Sequence, residues 1–474
     1  MTDIAEFDVA NAGARVAGRG IDAWIAEGRE LLKLSLPLIA TQVLQMAIGT
    51  TDTLMLARFS NEALAGAVLG NTMFYFCWLL GSGPTSAVSP MIAHILGADP
   101  DARNDVRVVA RMGFWSVLMV GVPLFVFMQF AHPLLLLLGQ SEQLAHAAAQ
   151  FVVPLSFGLP FSLGFQVLRN YSTALSKPRA SLIVMIISVF LNVVFDYALI
   201  FGHFGFPRLG LMGSGIASAC SFACSFLLML AVVRLTPKLH LYRIFADFPK
   251  PDWAKLKEIY VLGLPIGLTM LFEATLFFSS NFFMGHFGLD HLAAHTISMN
   301  VPSVTFMVPL GIAMAATVRV GLAAGAGDSE ASRRAGWTAI LAATLFMAFT
   351  SVILWTWPFE IAQLYLPATP QNMAALTLAV SFLHVAAIFQ IVDGIQVAAA
   401  LSLRGLKDAR APMWIAGASY WLAGFPTCML FAFGFGLKGI GIWYGLAFGL
   451  LVAAVLMCWR FWWVSRTVQA HGAF

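Results

Sequence analysis

The sequence predicts an all-α polytopic membrane protein with about 12 transmembrane helices in two six-helix lobes. Hydrophobic residues make up 59% of the 474 residues and charged residues only 11%, and the mean hydropathy is +0.82. Soluble domains carry roughly 25% charged residues, so this chain cannot cover a water-facing surface. A β-barrel is excluded because the apolar runs do not alternate with polar residues. The net charge of +4 is too small to indicate a nucleic-acid partner.

Apolar runs long enough to span a bilayer, which takes about 20 residues, recur along the whole chain. Several contain glycine or proline, which is typical of long, tilted or bent helices. The predicted spans are 32–57, 63–96, 107–131, 146–175, 180–202, 210–235, 256–286, 291–325, 333–358, 371–403, 409–434 and 438–464.

The two halves of the chain resemble each other when one is shifted by 228 positions. The shift aligns Pro37 with Pro265, Thr41 with Thr269, Gln45 with Glu273, and Asp52 with Ser280. Near the end of each half, GLMGSGI (210–216) matches GLKGIGI (436–442). Because each half holds an even number of helices, the copies run in the same direction. They are therefore parallel repeats about a pseudo-two-fold axis along the membrane normal.

The distribution of lysine and arginine predicts the orientation of the chain. These residues concentrate in the loops on one side, whereas the opposite loops contain only Arg58, Arg208 and Lys438. Both termini are therefore expected in the cytoplasm, and the acidic first 30 residues are not expected to form a cleaved signal peptide. The resulting divisions are a cytoplasmic N-terminal segment (1–30), an N-lobe (31–237), a linker (238–255), a C-lobe (256–464) and a cytoplasmic tail (465–474).

Four carboxylates lie well inside predicted spans, at Asp52, Asp196, Glu273 and Asp393. Each costs roughly 2.5–3.5 kcal/mol at a helix centre on insertion scales, so each is expected to face a cavity or a partner. The alternative is an interhelical hydrogen bond that only fixes packing. Four such residues spread over both halves favour a functional role.

Helical spacing groups the N-lobe acids. Thr41, Gln45 and Asp52 share one face of the first span, and Asn192 and Asp196 share a face of the fifth. Asp52 and Asp196 lie at similar depths and are expected to meet. Two close carboxylates in a low-dielectric cavity will not both stay ionised, so the pair is a candidate proton-binding site. With the Asn192 amide, the same oxygens suit Na⁺ instead.

Other polar residues are candidates for supporting roles. Ser214 or Ser218 on the sixth span supplies a hydroxyl to the N-lobe pair or serves only as a small packing residue. In the C-lobe, Glu273 and Asp393 form a second candidate pair, and Gln396 lies three residues after Asp393.

Basic residues and histidines inside the spans favour structural roles. Arg169 and Arg319 are the only basic residues predicted near the spans, and each is expected to serve structure, by pairing or by snorkelling. His286, His291 and His295 crowd a predicted outer loop, where solvation is favoured over a metal site because their spacing matches no ligand motif. No motif for ATP hydrolysis or for a hydrolase is present, so we predict neither an enzyme nor a cofactor.

Four segments resemble the MATE (multidrug and toxic compound extrusion) family, in its NorM-like branch. They are DTLMLA in the first span, LFEATLF around Glu273, MVPLGIAMAATVRVG (307–321) and DGIQVAAALSLRGLKD (393–408). The resemblance covers about Leu31 to Trp463. It implies a two-lobed antiporter that exports amphipathic, mostly cationic drugs by alternating access, in exchange for H⁺ or Na⁺, across the bacterial inner membrane.

The resemblance also implies roles for particular residues. Glu273 and Asp393 correspond to the family's C-lobe cation site, and Asp52, Asn192 and Asp196 to its N-lobe site. Phe389 stands where NorM-like proteins often have a tyrosine, and Thr296 where they often have a glutamine. Both changes remove oxygen ligands and favour H⁺ over Na⁺. Phe389 is also a candidate aromatic contact for substrate.

Two other functions are weighed against drug export. A flippase for lipid-linked saccharides would need several buried arginines or lysines for its anionic substrates. A membrane-embedded enzyme would need a nucleophile or metal constellation, and none is evident. The expected partners are small organic cations, H⁺ or Na⁺ and the lipid bilayer, and the chain is expected to act as a monomer.

Overall fold

The computed structural model describes residues 20–245 and 251–467, nearly all of which lie in α-helices. Within these ranges, eleven helices are long and apolar enough to cross a membrane, or twelve if one bent pair is counted as a span. The predicted fold class is confirmed. The predicted N-terminal segment, linker and tail extend into 1–19, 246–250 and 468–474, which lie outside the described residues.

The helices fall where the apolar runs predict them. The first six are α1 (Ile21–Phe59), α2 (Glu62–Ala98), α3 (Arg103–Gln129), α4 (Glu142–Ser156 and Leu159–Ala174), α5 (Arg179–Phe201) and α6 (Gly210–Leu235). The second six are α7 (Trp253–His286), α8 (Leu289–Gly325), α9 (Ser329–Thr356), α10 (Met373–Gly405), α11 (Arg410–Gly434) and α12 (Lys438–Val464).

Helix α1 begins at Ile21, well before the predicted start at residue 32. Ala23, Glu27 and Leu31 are buried at spacings of four residues, whereas Ile21 and neighbouring apolar side chains are exposed. One face of this added stretch is therefore packed, and the helix continues through residues that the sequence assigns to a separate N-terminal segment.

The chain divides into two compact units. The N-unit comprises Ala40–Gly267, and the C-unit comprises Leu268–Phe474 together with the residues up to Ile39. Within the N-unit, the repeated motif 210–216 opens α6. A side chain at Gly213 would overlap the Leu199 carbonyl oxygen, and one at Gly215 would overlap that of Phe151. The glycines therefore allow α6 to approach α5 and α4 closely.

The C-unit packs around large buried side chains on α10 and α12, including Phe382, Trp443 and Phe461. Gly441, in the second copy of the motif, takes the same role as Gly215. A Cβ at Gly441 would lie 2.6 Å from the Ala432 nitrogen on α11.

A buried ion pair joins two distant parts of the C-unit sequence. Arg319 on α8 donates from Nε to Glu27 Oε1 at 2.8 Å and from Nη2 to Glu27 Oε2 at 2.7 Å. The two side chains are 9% and 2% exposed. Arg319 is therefore paired with an acid, which is one of the two structural roles that the sequence predicts for it.

The described helices are interrupted by one bend and by three π-helical segments. The two parts of α4 meet at an angle of 46°, and Pro160 occupies the first turn of the second part, where its missing N–H is tolerated. The segments Val117–Gly121 in α3, and Ala418–Gly424 and Leu430–Gly434 in α11, are π-helical. Such π-helical turns are frequent at functional sites.

Candidate functional site

The structure brings the predicted acids of the N-unit together. Asp52 on α1 lies beside Asp196 on α5, and Asn192 lies one helical turn from Asp196. Asp196 and Asn192 are completely buried. Neither Asp196 oxygen has a partner of good hydrogen-bonding geometry among the described residues, and the same holds for the Asn192 amide atoms.

The two candidate serines on α6 occupy different positions. Ser218 Oγ donates to Asp52 Oδ2 at 3.0 Å. Ser214 is also buried, but its hydroxyl has no hydrogen-bond partner among the described residues. Thr41 is fully buried, whereas Gln45 accepts a hydrogen bond from Arg169. The polar groups thus lie along α1 in two zones, one around Asp52 and one around Gln45.

A cavity opens into the N-unit beside Asp52. The cavity, together with the open solvent at its mouth, has a volume of about 1,020 Å³, and Asp52, Gln45, Ser218 and Arg169 are among the lining residues. Asp196 and Asn192 do not line it. Six of its lining side chains are aromatic: Phe74, Tyr75, Trp78, Phe151, Phe165 and Phe222. Asp52 therefore lies between the cavity and the fully buried Asp196.

Arg169 reaches the same cavity from α4. Its Nη1 donates to Gln42 Oε1 and to Gln45 Oε1, both at 3.2 Å. These bonds fix its position against α1, and Arg169 also lines the cavity.

The C-unit holds a second polar cluster. Glu273 on α7 and Asp393 on α10 lie within electrostatic reach of each other, and so do Glu273 and Arg404 on α10. The Tyr420 phenol, in the π-helical segment of α11, lies near both acids and is fully buried. The Tyr420 hydroxyl and Asp393 Oδ1 have no hydrogen-bond partner among the described residues. The cluster therefore combines two acids, one cation and one phenol.

Other predicted C-lobe residues are placed outside this cluster or at its edge. Phe389 is 2% exposed and packs against Phe277 and Trp443, so it lies in the packed interior. Thr296 is exposed and donates to the Leu292 carbonyl of its own helix. Gln396 is buried and directs its amide nitrogen toward the Met457 sulfur at 3.9 Å.

Two sequence-based expectations are wrong. Arg169 and Arg319 are not the only basic residues near the spans, because Arg404 and Arg111 are also buried within helices. His295 is not in a solvated loop, because it lies inside α8, is fully buried and contacts Ser280 Oγ at 3.2 Å. Within the described parts of the chain, no group of three or more histidine, cysteine or acidic side chains is arranged to hold a metal ion.

Sequence reasoning did not find Arg404 and Tyr420 as members of the C-unit cluster. Arg404 falls at the end of its apolar run, where a snorkelling arginine is ordinary. Tyr420 interrupts the apolar stretch ASYWLAG, and a buried tyrosine hydroxyl usually seeks a partner. The polar hydroxyl of Tyr420 within an apolar stretch is therefore the feature by which the sequence could have identified this residue.

Apolar helices long enough to span a membrane, with acids and arginines buried among them, are typical of a multi-pass membrane transporter. The family model described as MatE matches residues 37–198 and 265–430, and the two matches begin at the prolines that the internal repeat aligns. The chain belongs to the MatE family.

Individual relatives agree with this assignment. The chain is 40% identical to the "Probable multidrug resistance protein NorM" of Mesorhizobium japonicum, over 96% of this chain and 97% of that protein. It is also 40% identical to the protein of the same name in Brucella suis biovar 1, over 91% of this chain and 93% of that protein. A crystal structure of a MATE protein in the straight conformation shares the fold at a TM-score of 0.85 and 20% identity, covering 98% of this chain and 99% of that one.

Proposed function

We propose that this protein is a proton-coupled antiporter that exports amphipathic organic cations through the bacterial inner membrane by alternating access. The relatives described as multidrug resistance proteins support a drug-type substrate. The observation that carries the proposal is the position of Asp52, which lines the cavity on one side and contacts Asp196 on the other.

Competition for Asp52 couples proton and substrate in this mechanism. When Asp196 holds a proton and Asp52 is ionised, the cavity wall carries one negative charge that attracts an organic cation. When Asp52 also takes up a proton, that charge is lost and the cation is released. Ser218 donates a hydrogen bond to Asp52, and the Asn192 amide lies beside Asp196.

The unsatisfied polar atoms around Asp196 support proton binding. A buried polar atom without a partner costs roughly 1–3 kcal/mol, so the cluster gains from any species that supplies hydrogen bonds. A proton on either carboxyl converts one acceptor into a donor for its neighbour.

The predicted C-lobe cation site supports H⁺ over Na⁺ as the coupling ion, because Na⁺ requires several oxygen ligands. Phe389, which the sequence places next to the predicted cation site, offers no oxygen ligand.

The aromatic wall of the N-unit cavity suits flat cations. Ring faces attract cations within about 6 Å of the centroid, and this attraction strengthens when water is excluded. Six aromatic side chains around one carboxylate therefore provide stacking surfaces together with a counter-charge.

Ion gradients imposed on reconstituted vesicles test the proposal. Purified protein in liposomes should move the cationic dye rhodamine 123 when a pH gradient is imposed without Na⁺. Asp52→Asn should abolish this movement because the variant can neither release a proton at that position nor attract the dye. Dye fluorescence measures the rate.

The matched control is Asp290→Asn, which removes an exposed acid at the start of α8 and should leave transport unchanged. Transport driven equally by a Na⁺ gradient alone would overturn the choice of H⁺. Full transport by Asp52→Asn would overturn the carboxylate mechanism.

A further inference from the structure

The end of α12 presents a cluster of exposed tryptophans in the C-unit. Three of its last six residues are tryptophans that face outward: Trp459 is 63% exposed, Trp462 40% and Trp463 53%. The first turns of α11 pack against α12 and carry Trp414, which is 71% exposed. Tryptophan concentrates at the level of the lipid headgroups, where its ring is apolar and its N–H finds a polar partner. This end of the C-unit is therefore suited to contact headgroups.

Arginines lie over two of these rings. The guanidinium carbon of Arg466 is 3.7 Å from the centroid of the Trp462 ring, and that of Arg460 is 5.1 Å from the Trp463 ring. A cation–π contact holds a guanidinium beside the ring but leaves its charge uncompensated. The rings therefore position positive charge at the same level as the tryptophans.

The positive charge at this surface exceeds the negative charge. Asp408 Oδ2 accepts from Arg460 Nε at 2.8 Å, and Asp408 Oδ1 accepts from the Ala411 N–H at 3.3 Å, so both oxygens are used. Arg466 is exposed, and so is Arg410, which follows Asp408 by two residues. Neither forms an ion pair with an acid in the part of the chain that the structure describes. An anionic partner can therefore bind to both.

The matching end of the N-unit is built differently. Extending the alignment of the repeated glycine motif places Arg234, at the end of α6, at the position of Arg460. Arg234 also lies over a ring, that of Phe245. The residues after α6 pack back onto the N-unit, where Leu239 and Tyr242 are buried. The positions that match the three tryptophans hold valine, threonine and proline. The repeat alone therefore does not account for the surface on α12.

We propose that this surface is a binding site for an anionic phospholipid of the phosphatidylglycerol type, with the headgroup phosphate at Arg466 and Arg410 and the acyl chains along the tryptophan rings. Guanidinium groups bind phosphate through charge-assisted hydrogen bonds, and basic residues near the membrane surface attract anionic lipids. A zwitterionic lipid also carries a phosphate, but its cationic group is repelled by the same arginines. The site goes beyond the proposed export and does not depend on the substrate or the coupling ion.

Native mass spectrometry of the purified full-length protein in detergent tests the proposal. The apparent Kd is measured with palmitoyl-oleoyl phosphatidylglycerol and, separately, with the matching phosphatidylcholine. Arg410→Gln/Arg466→Gln should weaken phosphatidylglycerol binding about tenfold or more, because each arginine near the membrane surface contributes to the attraction. The affinity for phosphatidylcholine should change less than about threefold, and this lipid also reports any misfolding.

Two further variants separate the site from general charge. Arg234→Gln/Lys238→Gln is the matched control, because it removes two exposed charges from the corresponding end of the N-unit. It should leave phosphatidylglycerol binding unchanged. Trp462→Leu keeps every charge and an apolar side chain but removes the ring beneath Arg466, and it should weaken phosphatidylglycerol binding about threefold or more.

Several outcomes would overturn the site. Equal losses in the two double variants would assign the binding to general positive charge. A wild type that binds both lipids equally would show no preference for the anionic headgroup. Displacement of the lipid by excess inorganic phosphate would show that the tryptophans and acyl chains contribute nothing. A wild-type dimer that Trp462→Leu abolishes would assign the surface to a second copy of the chain.

Discussion

The pair Glu27–Arg319 illustrates how a charge is accommodated inside this protein. Both side chains are buried, and two hydrogen bonds align the carboxylate with the guanidinium. The free energy needed to remove two charges from water offsets much of their mutual attraction. The intact pair therefore adds little net stability. Its main effect appears when one partner is removed and the other remains buried and alone.

Arg319→Gln should lower the free energy of unfolding by about 3–5 kcal/mol because Glu27 is left as an uncompensated buried charge. The double variant Glu27→Gln/Arg319→Gln should be less destabilised than this single variant. Thermal and denaturant unfolding of the purified protein in detergent measure both quantities.

The exposed pair Arg103–Asp101 provides the control for this prediction. Its side chains are 52% and 89% exposed, and removing an exposed ion pair changes stability by about 0–1 kcal/mol. If Arg319→Gln were as stable as Arg103→Gln, the burial argument would be wrong.

Candidate functional residues were easiest to predict from the sequence where placing one side chain in a membrane span has a large free-energy cost. Asp52, Asp196, Glu273 and Asp393 were found because a carboxylate in an apolar run requires a reason. The roles assigned to them stay predictions. The partnership of Glu27 with Arg319 was not predicted, because helical spacing relates residues within one helix only.

Helices were predictable because composition and length alone define a membrane span. The breaks within the helices were less predictable from the sequence. The bend in α4 and the π-helical segment that holds Tyr420 depend on which neighbours supply packing and hydrogen bonds. The glycine motif was found as a repeat, but its role became clear only from the backbones that it allows to approach.

Gly215→Ala and Gly441→Ala should each lower the free energy of unfolding by about 1–3 kcal/mol, the usual cost of an overpacked site. In both positions the added methyl group meets backbone atoms of a neighbouring helix, which cannot rotate away. Thermal unfolding in detergent measures the change.

Gly285→Ala is the matched control because nothing lies within 4 Å of a Cβ added there. Alanine in a helix is favoured over glycine by about 0.5–1 kcal/mol, so this variant should be as stable as the wild type or slightly more so. Equal losses in all three variants would contradict the packing argument.

At the scale of the whole molecule, the uneven distribution of lysine and arginine predicts a membrane topology that can be measured. Green fluorescent protein fused after Phe474 should fluoresce, and alkaline phosphatase fused there should be inactive, because the positive-inside rule places that end in the cytoplasm. Cellular fluorescence and phosphatase activity are the readouts.

Phosphatase fused after Phe206, in the predicted outer loop between α5 and α6, should be active and provides the comparison. The reverse pattern at the two positions would show that the charge distribution does not determine the orientation of this chain.

The pairing of Glu27 with Arg319 also imposes an order on biosynthesis. The two residues are 292 positions apart, so at about 5–20 residues per second Glu27 is synthesised roughly 15–60 s before its partner. During that interval the start of α1 carries an acid whose counter-charge does not yet exist. The first helix made thus completes its packing only after α8 has been synthesised.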